Sequence, residues 1–113
     1  MIKIYHNNRC SKSRLGLALV EASGKPFEVI KYLETPITID ELKEILLLLD
    51  IPAIDLVRKN EKTWKENFKG QNHTEDELLN IMVTNPKLIE RPIVVNNKKA
   101  VIGRPTERIN DIL

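Results

Sequence analysis

The stretch IKIYHNNRCSKSR, residues 2–14, decides how the chain is to be read. IKIY at 2–5 is a short apolar run suited to a buried strand, and a polar loop follows it. From about Ser11 to Ser23, Leu15, Ala18, Leu19 and Ala22 recur at i, i+3, i+4 and i+7. That spacing predicts an amphipathic helix presenting those four residues to a core. Gly24 suits the position just past a helix end, and Pro26 cannot continue one. FEVIKY at 27–32 alternates as a second strand, so residues 2–32 predict a β-α-β unit.

Working outward, Thr38 with Glu41 forms a capping box that opens a helix to about Leu49. Pro52 can start a short helix carrying Ile54 and Val57 toward Asn60. The polar segment 61–73 yields no assignment. Thr74 with Glu77 makes a second capping box, opening a helix through Leu78, Ile81 and Met82 that stops before Asn85-Pro86. IVV at 93–95 and AVIG at 100–103 flank NNKK and read as a hairpin. Pro105 then suits the first turn of a closing helix, TERINDIL. The order predicts an α/β fold: one mixed sheet with helices packed on it, in a single domain spanning 1–113 with a helical block inserted at about 38–85.

Composition sets the outer bounds. A chain of 113 residues has room for one modest core, and 42% hydrophobic with 30% charged residues is ordinary for a folded soluble protein. MIKIYHNN contains no long apolar stretch, so no signal peptide is read, and ILLLL at 45–49 is far too short to span a bilayer. One cysteine permits no intrachain disulfide and points to a reducing, cytoplasmic setting. Eighteen Lys and Arg against 16 Asp and Glu leave a net charge of +2, which argues against general nucleic-acid binding while allowing a local anion site.

That cysteine, Cys10, falls just after a strand and at the mouth of a helix. Free cysteine is ordinarily a packing residue. At a helix N-terminus, however, unpaired N–H groups and the macrodipole favour an anion, and a thiolate is the reactive form of the side chain. Arg9, Lys12 and Arg14 add local positive charge. His6, four residues earlier, could reach the thiolate if the loop curls.

Three arginines form a second set: Arg58, Arg91 and Arg104. Singly, each reads as a solvated charge. A hairpin turn centred on Asn97-Lys98 sets Arg91 opposite Arg104, and one centred on Asn96-Asn97 still leaves both at the same end of the ribbon. Two like charges held there suit an oxyanion between them, which guanidinium groups bind bidentately. Pro92, lacking a ladder donor, belongs at a strand start, and an X–Pro bond there is a candidate for cis geometry. Trp64 and Phe68, four residues apart, read as a local packing pair, and His73 is assigned no role.

Taken together, IYHNNRCSKSR at 4–14, LVRKN at 56–60, IERPIVV at 89–95 and IGRPTERI at 102–109 resemble the glutaredoxin-coupled arsenate reductases, the ArsC family, in its shorter members. The resemblance runs nearly end to end. It implies a thioredoxin-like fold, with Cys10 as catalytic thiolate and His6 supporting its ionisation. It further implies Arg58, Arg91 and Arg104 as oxyanion-binding residues and Pro92 as a cis-proline. The implied activity is reduction of arsenate to arsenite through a Cys10 adduct, resolved by glutathione and glutaredoxin, with no bound cofactor and no metal. The partners implied are an oxyanion, glutathione and glutaredoxin, with neither nucleic acid nor membrane, for a protein acting as a monomer.

The chain departs from the family pattern at three places. His6-Asn7-Asn8-Arg9-Cys10 lacks the proline of the common H-N-P-x-C, and Ser11-Lys12 stand where the well-studied reductases carry Gly-Thr. The sequence also ends without the tail of the longer members. Two rival readings follow from the same fold. One is a regulator of the Spx type that binds RNA polymerase; such proteins use C-x-x-C as a redox switch, whereas here Ser13 stands three after Cys10, and they lack the Arg104-Pro105 pair. The other is a related thiol oxidoreductase with a different substrate.

Overall fold

The computed structural model describes all 113 residues. Two compact units make up the chain: Met1–Thr35 with Arg91–Leu113, and Pro36–Glu90. The first is built on a sheet and the second is helical.

The sheet unit contains β1 (Ile2–Tyr5), α1 (Ser11–Ala22), β2 (Phe27–Ile30), β3 (Ile93–Asn96) and β4 (Lys99–Ile102). The strand order is β2-β1-β3-β4. β1 pairs parallel to β2 and antiparallel to β3, so the sheet is mixed and β1 lies inside it. A parallel pair needs a long crossover, and α1 supplies it. Ile2, Ile4 and Tyr5 are buried while Lys3 is exposed. The hairpin pairs Ile93 with Ile102 and Asn96 with Lys99, which leaves Asn97 and Lys98 as the central turn residues. Asn97 takes φ 56°, a left-handed conformation that its short polar side chain tolerates.

The buried face of α1 differs from the one its leucines predict. Ser13, Gly16 and Val20 are buried, whereas Leu15 is 55% exposed and Ala18 and Ala22 are also exposed. A close approach at Gly16 sets the face. A Cβ on Gly16 would stand 2.7 Å from Pro92 Cγ and 3.2 Å from Ile109 Cδ1, so the helix backbone comes closer than any larger residue would allow. Gly103 meets the same two side chains, with an added Cβ 2.9 Å from each. Val20 joins Ile2, Ile4, Val94, Ile109 and Ile112 in the core, and Leu17 and Leu19 pack against it half-buried.

The closing segment Thr106–Asp111 is a 3₁₀ helix, and Pro105 stands before it in extended conformation rather than in its first turn. Three residues per turn stack Ile109 and Ile112 on one side, and both are buried.

The helical unit contains α2 (Ile39–Leu49), α3 (Lys62–Asn67) and α4 (Glu75–Thr84). Short 3₁₀ turns occupy Ala53–Leu56 and Pro86–Leu88. Both expected capping boxes form. Thr38 Oγ1 accepts from the Glu41 N–H at 3.1 Å, and Thr74 Oγ1 accepts from the Glu77 N–H at 3.1 Å. In the segment without a sequence assignment, Trp64 is buried and stacks 5.8 Å from Phe68 and 5.7 Å from His73. His73 closes the cluster through Nε2, 3.0 Å from the Phe68 carbonyl.

Candidate active site

Cys10 is the N-cap residue of α1, with extended backbone at φ −98° and ψ 121°. It is half-buried and unpaired with any other cysteine. Most N-caps present an oxygen that bonds the first helical N–H groups; here a thiol stands at that position without a capping hydrogen bond. Burial is the largest influence on the Cys10 thiol and pushes its pKa up. The Ser13 N–H, the hydrogen bond and charge of Arg91, and the Lys12 N–H together outweigh it, so the pKa lies below that of a free cysteine.

Two of the three arginines converge on this sulfur. Arg104 Nη2 donates to Cys10 Sγ at 3.4 Å, and its Nε donates to the Arg91 carbonyl at 2.7 Å. A single planar guanidinium thereby ties the end of the hairpin to the thiol, which a lysine could not do with two directed bonds. Arg91 and Arg104 lie just beyond the paired ends of β3 and β4. Pro92, between Arg91 and β3, is fully buried against Gly16 and Gly103. The Arg91–Pro92 and Arg104–Pro105 peptide bonds are both cis, and the sequence singled out only the first. Arg58 belongs to the helical unit, where its Nε pairs with Glu61 Oε1 at 3.3 Å and its N–H donates to the Leu88 carbonyl at 2.7 Å.

His6 is only 2% exposed, and its Nδ1 lies 2.7 Å from Ser13 Oγ. Ser13 is fully buried, and its hydroxyl also accepts from the Asn7 N–H at 3.0 Å. The hydroxyl keeps its proton and one lone pair for Nδ1, so it pairs with either tautomer of the imidazole. Desolvation is the chief reason the His6 pKa is lowered, and Lys31 and Arg14 press it in the same direction against hydrogen bonds to Asn8 and Ser13. The imidazole thus connects to the cysteine loop through Ser13, whose side chain holds His6 while its N–H favours the thiolate.

Ser13 is the residue that sequence reasoning missed; it counted there only as the absence of a second cysteine. The signal was its spacing. Three residues past an N-cap is where a backbone N–H faces the capping side chain, and a buried serine there needs a partner. Asn7 Oδ1 accepts from the Arg9 N–H at 3.0 Å, and Arg14 Nη1 donates to the Asn8 carbonyl at 2.9 Å, so the loop is held from both sides. No cluster of three or more His, Cys, Asp or Glu side chains could hold a metal ion, and no helix is long and apolar enough to cross a membrane.

Comparison with known proteins gives a consistent result. A model described as the ArsC family matches residues 5–112. The chain is 47% identical to the uncharacterized protein YfgD of Escherichia coli K12, over 99% of this chain and 96% of that one. It is 45% identical to an arsenate reductase of Neisseria meningitidis serogroup B, over 99% and 97%. The structure of arsenate reductase from Vibrio cholerae superposes with a TM-score of 0.94 at 45% identity, covering 99% of this chain and 97% of that one. The fold is therefore thioredoxin-like, a mixed sheet that presents a half-buried thiol at a helix mouth. The chain belongs to the ArsC family.

Proposed function

We propose that this protein reduces arsenate to arsenite at Cys10, with glutathione and glutaredoxin as the thiol donors. The observation that carries the reading is the Arg104 guanidinium on Cys10 Sγ at 3.4 Å, beside Arg91 at the mouth of α1. That pairing favours a thiolate and offers donors to the oxygens of a tetrahedral anion. The family's sequence pattern gives Arg58 an anion-binding role as well.

In this mechanism the Cys10 thiolate attacks arsenic(V). A sulfur–arsenic bond forms, one arsenate oxygen takes up protons and leaves as water, and no redox change has yet occurred. Arg91 and Arg104 hold the remaining oxygens through both states. An external thiolate then attacks Cys10 Sγ. The sulfur–arsenic bond breaks, its electron pair stays on arsenic, and arsenite departs as arsenic(III). Cys10 is left in a mixed disulfide with the donor. A second thiol attacks the donor sulfur, freeing the Cys10 thiolate and completing a two-electron oxidation of two thiols to one disulfide. One cysteine in the chain makes external thiols a requirement. His6 supports the thiolate through Ser13 by fixing the loop, Pro92 has a structural role, and a reducing cytoplasm suits the chemistry. The protein needs neither cofactor nor metal for these steps and is proposed to act as a monomer.

The experiment is arsenate-dependent NADPH oxidation in the presence of glutathione, glutaredoxin and glutathione reductase. Wild type is expected to turn over and Cys10→Ser to fall to background. Equal rates for the two proteins would overturn the reading.

A further inference from the structure

Outside the thiol–guanidinium cluster, the loops that follow β1 and β2 enclose a cavity of about 280 Å³. Residues 6–9 form one wall, and Lys31, Leu33 and Glu34 form the other. Because β1 and β2 run parallel, both walls follow the carboxyl ends of neighbouring strands, where α/β sheets commonly bind ligands. Both walls are already ordered. Asn7 Oδ1 and Arg14 fix the first, and the Glu34 and Thr35 N–H groups fix the second by donating to the Lys31 carbonyl at 2.9 and 2.8 Å. The volume lies near the lower end of the roughly 300–1,000 Å³ typical of small-molecule clefts.

The charges around this cavity are specific. Arg9 and Lys31 supply two cations, Glu34 one carboxylate, Asn7 and Asn8 neutral amides, and Leu33 an exposed apolar surface. A complementary ligand carries two carboxylates, one ammonium, amide groups and a short apolar stretch. A bare inorganic oxyanion would face Glu34 without a partner for it and would leave Leu33 in water. Arg9 also directly precedes Cys10 in the chain, so a ligand seated here lies beside the loop that carries the reacting sulfur.

We propose that this cavity seats the zwitterionic peptide thiol that reduces the Cys10 adduct, with Arg9 and Lys31 pairing its two carboxylates and Glu34 its ammonium. The assignment rests on the reductase reading above and adds to it the place from which the donor sulfur approaches. It also separates two anion sites, arsenate at Arg91 and Arg104 and the donor at Arg9 and Lys31, since neither Arg91 nor Arg104 lines the cavity.

The test titrates S-methylglutathione, which has no thiol to react, into the full chain and follows backbone amide shifts by NMR. Shifts are expected at Asn8, Arg9, Leu33 and Glu34. Lys31→Glu should weaken binding about fivefold, as reversal of an exposed charge pair does, while Lys31→Arg should stay within about twofold. In the coupled assay Lys31→Glu should raise the KM for glutathione more than it lowers kcat. Equal affinity in Lys31→Glu and wild type, shifts confined to residues outside the cavity, or full displacement by equimolar sulfate would each overturn the assignment. The two readings fail separately. Binding as described in a protein that does not reduce arsenate supports the cavity and ends the reductase reading. Arsenate turnover with a glutathione KM unmoved by Lys31→Glu does the reverse.

Discussion

The sheet unit and the helical unit use polar side chains for different ends. In the helical unit they terminate helices: Thr38 and Thr74 cap α2 and α4, Glu41 and Glu77 return the bond, and Arg58 pairs with Glu61 three residues on. Those partners are local in sequence, and a longer contact in the same unit, the Ala53 N–H donating to Glu75 Oε2 at 3.1 Å, also satisfies a backbone group. In the sheet unit local contacts hold the cysteine loop, and those that reach the sulfur run long. Arg104 reaches Cys10 across 94 positions and the Arg91 carbonyl across 13, and His6 is buried on a serine seven residues away. Burying such groups is costly unless their partners are held in place. A network of that kind, centred on one half-buried sulfur, marks where the fold is organised around chemistry.

Variants should expose that contrast, and the largest effect is expected at the sulfur itself. Cys10→Ser removes the nucleophile and should lower arsenate turnover by on the order of 10³-fold or more, read in the coupled assay. Arg104→Lys comes next. It keeps the charge but cannot direct one bond to Sγ and another to the Arg91 carbonyl, so kcat/KM should fall by on the order of 10–100-fold. The same variant should move the pH profile of the thiol. The wild-type Cys10 pKa is depressed, so alkylation by iodoacetamide should reach half its maximal rate at a pH below that of free cysteine. Weakening the arginine contact should shift that midpoint upward. The sign for stability follows. A depressed thiol pKa contributes stability that is present above the unfolded-state value and lost as pH falls through the folded one. Unchanged midpoints in wild type and Arg104→Lys would detach the arginine from the thiol.

Much of this architecture can be read from local signals. Two capping boxes, the apolar runs and the NNKK turn placed nearly every element, and the pairing of Ile93 with Ile102 follows from centring the turn on Asn97-Lys98. Those features depend on residues close in sequence. What could not be read depends on contacts that only the fold creates. The leucines of α1 follow a helical period, yet the helix turns Ser13, Gly16 and Val20 inward, with Pro92 and Ile109 from the far end of the chain packed on Gly16. The role of Ser13 was hidden for the same reason: its importance comes from a histidine on the preceding strand end and a thiol one turn away. Spacing alone put Arg91 and Arg104 at a shared end of a hairpin, and only the family resemblance implied that this end meets the cysteine loop.

Gly16→Ala tests that hidden contact directly. Its Cβ would lie 2.7 Å from Pro92 Cγ, a ring atom with little freedom to move. Relief requires α1 to shift from the sheet, and overpacking of this kind costs about 1–3 kcal/mol, measurable by urea denaturation. Since Cys10 caps α1 and Arg91 adjoins Pro92, the thiol profile should shift along with stability. A neutral substitution would show that the approach of helix and proline is looser than described.

Thr74→Ala is the counterpart in the helical unit and carries the smallest expected effect. The Thr74 side chain accepts the Glu77 N–H, and the Glu77 carboxylate accepts the Thr74 N–H at 2.9 Å. Removing the hydroxyl leaves one N–H of α4 to water and should cost about 1 kcal/mol. The Glu77 pKa, held down first by the Thr74 backbone bond and then by its side-chain bond, should rise part of the way back, because the backbone bond survives the substitution. A depressed carboxylate pKa contributes stability above the unfolded-state value that is lost as pH falls through the folded one, so the gap between variant and wild type should narrow in acid. The iodoacetamide profile of Cys10 should stay where it is, because Lys12, Ser13, Arg91 and Arg104, which bear on that thiol, belong to the sheet unit. A shifted profile in Thr74→Ala would mean that helix capping and thiol ionisation are coupled, and the division of labour between the two units would have to be redrawn.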